Sequence, residues 1–129
     1  MTADGAGETG RELLTVRDEL LEERRGVLDR LARLRTDHAD MVAASAGSNA
    51  DDEHDPEGAT IAFERQQVDA LARQAERRLA DIDAALTRLA DATYGRCEVC
   101  GAAIPAERLR VRPSARTCVP CGSRRTRSR

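Results

Sequence analysis

The chain has 129 residues, room for about one domain, yet Tyr94 and Phe63 are its only aromatic residues, tryptophan is absent and 34% of positions are charged. Such a composition excludes a thick globular core and favours long helices with a narrow apolar seam. The net charge of −2 divides unevenly: residues 1–94 carry 21 acidic and 12 basic side chains, residues 95–129 carry 2 and 9, a dipolar pattern that points to a large, charged partner rather than a small apolar ligand.

Residues 1–8 are small and polar and read as a disordered tail. Thr9 is the expected N-cap of a first helix, with Glu12 completing a capping box. Leu13, Leu20, Val27, Leu34 and Met41 then recur every seven residues, followed one position behind by Leu14, Leu21, Leu28 and Val42, with Leu31 between the rows. This is a sustained helical stripe. Gly26 weakens that helix by roughly 1 kcal/mol relative to alanine without breaking it, and Gly47 is a candidate C′ residue.

Residues 47–55 have turn composition, and Asp55 followed by Pro56 is a start signal, an N-cap acceptor with proline at N1. Beyond it Ile61, Val68, Ala75, Ile82 and Leu89 repeat every seven, flanked by Leu71, Leu79 and Leu86. The second helix is expected to run to Tyr94 and stop at Gly95. Two long helices joined by a short polar loop fold back as an antiparallel hairpin. Pairing Leu20 with Ile82 and Leu34 with Val68 puts the symmetry axis at Asp51, inside the turn. The arm would be roughly 50 Å long at the rise of an α-helix.

At the hairpin tip, Asp51, Asp52, Glu53, Asp55 and Glu57 lie in a stretch from Arg35 to Arg65 without an intervening arginine. Like charges crowded at one end repel. Asp55 is explained as a cap, whereas Asp51-Asp52-Glu53 is not, so a functional tip and an ordinary polar loop both stand. The spacing does not match an EF-hand. His38 is placed at the seam edge and His54 in the loop.

All four cysteines fall in the last third, as Cys97-Glu98-Val99-Cys100-Gly101 and Cys118-Val119-Pro120-Cys121-Gly122, seventeen residues apart. Two residues between cysteines let both thiolates face one ion, and a following glycine lets the backbone turn toward the sulfurs. Paired in this way, Cys97, Cys100, Cys118 and Cys121 are the expected ligands of one structural zinc. Two disulfides, or a redox-active C-x-x-C with spare cysteines, are the alternatives. A closed four-sulfur site leaves no position for water, and no Ser/His/Asp or Cys/His constellation exists, so no enzymatic activity is expected. No apolar run reaches the ~20 residues of a membrane span and no signal peptide follows Met1, which points to the reducing cytoplasm.

Arg108, Arg110, Arg112 and Arg116 lie between the cysteine pairs, and Arg124, Arg125, Arg127 and Arg129 end the chain in a basic tail, residues 123–129. A basic zinc module with a dimerising coiled coil could contact nucleic acid. It lacks exposed aromatics for base stacking and the pattern of a recognition helix, so sequence-specific DNA binding is not expected.

The run Tyr94-Gly95-x-Cys97-x-x-Cys100-Gly101, then Ile104, Arg108-Leu109, Pro113, Ala115, Cys118 and Cys121, resembles the DksA/TraR zinc-finger signature without a gap. With the preceding helices the resemblance covers about residues 10–122. It implies a mainly α fold: a coiled-coil hairpin over residues 9–93, its tip at about 47–60, and a zinc module over 94–122. It further implies a bacterial regulator that binds RNA polymerase and inserts the acidic tip into the secondary channel, in some members together with ppGpp. The tip residues it assigns to polymerase contact are Asp51, Asp52, Asp55, Glu57, Ala59 and Thr60. The family's tip pattern is D-x-x-D-x-A. Here Asp52 and Asp55 supply the acids, Glu57 stands where the alanine is expected, and Ala59 is the nearest alanine. Family contacts to ppGpp include lysines, and this chain contains only arginine.

Overall fold

A computed structural model describes residues 2–47 and 56–127. Four helices form: α1 (Thr2–Gly47), α2 (Pro56–Asp91), α3 (Ala106–Val111) and α4 (Val119–Arg127). Among the described residues there is no strand, only an isolated bridge between Arg96 and Ala103. The chain divides into two compact units, Arg25–Leu79 and Met1–Arg24 with Ala80–Arg129.

In Arg25–Leu79, α1 and α2 pack antiparallel. Arg35 meets Glu76 at 3.9 Å and His38 meets Asp69 at 3.2 Å, so descending α1 means ascending α2. Leu31 and Ala75 are buried there, with Val27, Leu34, Met41, Ile61, Val68 and Leu79 half-buried around them. His38 is half-buried, as its place at the seam edge requires.

In the other unit, Leu20 and Ile82 are both fully buried, in keeping with the register that pairs them. Each such side chain contributes about 1.5–3 kcal/mol of burial. Ala85, which belongs to neither stripe, is buried one turn beyond Ile82. Arg24 and Asp83 close the same face at 2.8 Å.

The seven-residue rows are not equally buried. Leu14, Leu21, Leu28 and Val42, the second row of α1, are exposed, as are Leu13 and Leu71. A pair of helices touches along one strip only, so a second row lies at the rim of the contact. Among the described residues no helix is long and apolar enough to cross a membrane.

Three boundaries differ from expectation. α1 begins at Thr2, so the helix passes through Thr9 instead of starting there, and residues 2–8 are helical. Ala3 and Ala6 offset Gly5 and Gly7 only in part, but no proline before Thr9 breaks the helix. α2 begins at Pro56 as expected but ends at Asp91, short of Tyr94. Residues 123–127 continue α4 rather than forming a tail. Asp51, Asp52, Glu53, His54 and Asp55 lie outside the described residues, and Glu57 is described only as part of the α2 backbone.

Candidate metal centre

The end of α2 delivers the chain to the cysteines. Ala92 takes a left-handed conformation (φ 61°), and the Thr93 N–H bonds the Arg88 carbonyl at 2.9 Å. That is the six-to-one bond of a Schellman cap, built on alanine where glycine is usual. Gly95 then turns left-handed as well (φ 88°), and its carbonyl accepts the Ile104 N–H at 2.7 Å. The Tyr94 hydroxyl donates to the Pro113 carbonyl at 2.8 Å and ties the start of the module to its second half. Burial, reinforced by Glu19 and opposed by Arg88, raises the pKa of that phenol.

Between Gly95 and Ile104 the backbone folds into the first knuckle. The Cys97 N–H bonds the Ala102 carbonyl at 2.8 Å, and the Gly101 N–H bonds the Cys97 carbonyl at 2.9 Å. Gly101 is left-handed (φ 76°), as a glycine after a cysteine pair is expected to be. The second knuckle is built differently. Cys118 immediately precedes α4, Cys121 sits in its first turn, and the Gly122 N–H bonds the Cys118 carbonyl at 2.9 Å. Gly122 is therefore helical, and the reason for its lack of a side chain is space: a Cβ there would stand 3.0 Å from Thr117 Oγ1.

The four Sγ atoms of Cys97, Cys100, Cys118 and Cys121 all lie within 4.8 Å of one another, with Cys100 and Cys118 3.8 Å apart. A zinc ion with ~2.3 Å bonds to sulfurs at tetrahedral corners sets them about 3.8 Å apart. One converging cluster of free thiols fits neither of the alternatives, two separate disulfides or a lone redox pair. The donor set is soft, which suits zinc and not a hard cation. Cys97 and Cys121 are buried with Ile104, and Leu109 and Cys118 pack against them, so sulfur supplies much of the module's interior.

The surrounding backbone prepares the sulfurs unequally. The amide of Cys100, with those of Cys118 and Val99, lowers the Cys97 thiol to about 6 against the cost of burial. Hydrogen bonding to Cys118, then burial, pushes Cys121 up to about 12. The four thiols titrate as one coupled set, and a metal that binds all of them displaces their remaining protons to solvent.

Of the four arginines between the cysteine pairs, three face protein acceptors. Arg108 Nε donates to the Thr117 carbonyl at 2.9 Å. Arg112 meets Asp81 at 3.3 Å, and Arg116 reaches Asp81 at 3.4 Å and Glu98 at 3.0 Å. Arg88 of α2 also meets Glu98, at 3.3 Å. Sequence reasoning missed this network, since Asp81 and Arg116 are 35 residues apart. It also passed over Phe63, which is 60% exposed; its offset of two from Ile61 turns it to the face opposite the seam. Ala59 and Thr60 are exposed on the opening turns of α2.

The dksA/traR C4-type zinc-finger model of prokaryotes matches residues 92–127. Over 118 residues the chain is 31% identical to the RNA polymerase-binding transcription factor DksA of Caulobacter vibrioides, covering 91% of this chain and 72% of that protein. It is 34% identical over 114 residues to the uncharacterized protein YteA of Bacillus subtilis, 84% of this chain. The chain spans about half (47%) of the length of YteA. Its fold is similar to that of transcription factor DksA2 from Pseudomonas aeruginosa, with a TM-score of 0.71 at 26% identity, covering 92% of this chain and 85% of that one. With two long packed helices, a four-cysteine module that takes a structural zinc, and similarity running through both, the chain belongs to the DksA/TraR family.

Proposed function

We propose that this chain is a bacterial transcription regulator that binds RNA polymerase directly, with the segment joining α1 to α2 entering the secondary channel. The observation that carries this reading is the similarity to the Caulobacter factor, which extends over 91% of the chain and so includes the helices as well as the zinc finger. In this reading Cys97, Cys100, Cys118 and Cys121 hold one structural zinc that shapes the module and does no chemistry. Polymerase contact falls to Asp51, Asp52, Asp55, Glu57, Ala59 and Thr60. An acidic segment is suited to a channel whose inner end holds a metal ion and basic groups. Any contact to ppGpp would rest on arginine.

The nucleic-acid reading has less support, because Arg108, Arg112 and Arg116 already face protein acceptors. Co-purification with core RNA polymerase and transcription in vitro from a panel of promoters test the proposal. Replacing Asp52 and Asp55 by alanine is expected to abolish the transcription effect while zinc content and helicity stay unchanged. Absence of any polymerase association would sink the reading. DNA binding that weakens steeply with salt and requires the arginines of the module would replace it with the alternative.

A further inference from the structure

We propose that Asp81 and Arg88 of α2 are positioning residues for the metal centre, holding the two cysteine knuckles at the separation one zinc ion needs. Neither belongs to the signature, and each acts on a different knuckle. Arg88 meets Glu98, which stands between Cys97 and Cys100 in the first knuckle. Asp81 takes Arg112 and Arg116, the two ends of the turn that leads into Cys118, where the Ala115 N–H bonds the Arg112 carbonyl at 3.0 Å. Seven residues apart, Asp81 and Arg88 share one face of a rigid helix about two turns apart.

Between them lies a clamp with two independent bonds. The Arg116 guanidinium donates to Glu98 at 3.0 Å, and the Glu98 N–H donates to the Arg116 carbonyl at 2.9 Å. One residue after Cys97 is thus fastened, by backbone and by side chain, to a residue two before Cys118. α2 holds both sides of that clamp, so helix geometry is transmitted to sulfur separation. Groups that orient metal ligands from outside the ligand set commonly change metal affinity by about 10–100-fold. Asp81 acts through one intervening arginine, which puts its effect near the lower end of that range.

At Asp81 the sign of the effect separates positioning from simple charge. Removing a carboxylate near a four-thiolate centre would, by Coulomb's law alone, favour the anionic sulfurs and tighten zinc binding. A positioning role requires the opposite. The test is transfer of zinc from the full-length protein to a competing chromogenic chelator, comparing wild type with Asp81→Asn, Asp81→Glu, Arg88→Gln and Asp83→Asn. Asp83 is the control: it lies on the same helix and pairs with Arg24 of α1, not with the zinc module. Asp81→Asn, which loses two ion pairs, is expected to weaken zinc retention about tenfold, Arg88→Gln, which loses one, up to about fivefold, Asp81→Glu to recover part of the loss, and Asp83→Asn to match wild type. Unchanged or tighter zinc in Asp81→Asn, or an equal loss in Asp83→Asn, overturns the assignment.

Discussion

Removing zinc should dismantle one end of the secondary structure and spare the rest. Apart from sulfur, the large aliphatic side chains clustered with the cysteines are Ile104 and Leu109, and the other buried positions of the module, Ser114, Ala115 and Thr117, are small. Burying two aliphatic side chains contributes about 3–6 kcal/mol, small beside the roughly 10–16 kcal/mol that a structural zinc supplies to a peptide of this kind. Without the ion the two knuckles, α3 between them and α4, which starts in the second, should unfold. Those helices hold 15 of the 97 residues in α1 to α4. The remaining 82 lie in α1 and α2, whose packing rests on Leu20, Leu31, Ala75, Ile82 and Ala85 and involves no cysteine. Treatment with a strong chelator is therefore expected to lower the 222 nm circular dichroism by about 15%, taking helical signal as proportional to helical residues. All four thiols should become reactive toward a colorimetric reagent, with one zinc released per chain. Loss of more than half the helical signal would mean that α1 and α2 depend on the metal. Retained signal with thiols still protected would mean that the module is held without it. Either result refutes the reasoning.

Three substitutions probe the backbone and packing, each read by chemical denaturation of the zinc-loaded protein. Gly26 lies within α1 and a Cβ there would meet nothing within 4 Å, so Gly26→Ala should stabilise the protein by about 1 kcal/mol; destabilisation would show that the helix is not continuous there. Ala92 occupies the left-handed position of the α2 cap, and Ala92→Gly should stabilise by about 0.5–1 kcal/mol, relief of left-handed strain outweighing the greater freedom of the unfolded chain. Ser114 is fully buried and its Oγ has no hydrogen-bond partner among the described residues. Ser114→Ala should therefore be neutral or stabilising by about 1 kcal/mol, whereas a loss greater than that would reveal a bonded hydroxyl.

Much of this architecture was legible because it depends on local regularities. The C-x-x-C-G repeats placed all four cysteines at one site, and Pro56 after Asp55 marked the first residue of α2. The seven-residue rows located the seam, including the burial of Leu20 and Ile82. Where the reading went astray, a local signal competed with a better one nearby. Gly95 has the chemistry of a helix terminator, yet the helix ends three residues sooner. The Arg88–Thr93 cap forms on Ala92, and Gly95 is needed for the next turn, where its carbonyl receives Ile104. Gly122 matched Gly101 in the repeat but serves a different need, because a helix begins inside the second knuckle and not inside the first.

The charge asymmetry changes its meaning most. An acidic body and a basic end looked like a surface arranged for an outside partner. In the structure part of that opposition is satisfied internally. Arg112 and Arg116 from the basic end meet Asp81 from the acidic body, while Arg88 from the body meets Glu98, one of the two acids of the basic end. Each pair is partly solvent-exposed, so each is worth no more than about 1 kcal/mol. Their value lies in direction more than in energy, since they fix which face of α2 the module sits on. Of the arginines between the cysteine pairs, Arg110 has neither ion pair nor hydrogen bond among the described residues. A partner drawn to this part of the module by charge would therefore meet Arg110 first, and would have to compete with Asp81 and Glu98 for the arginines beside it.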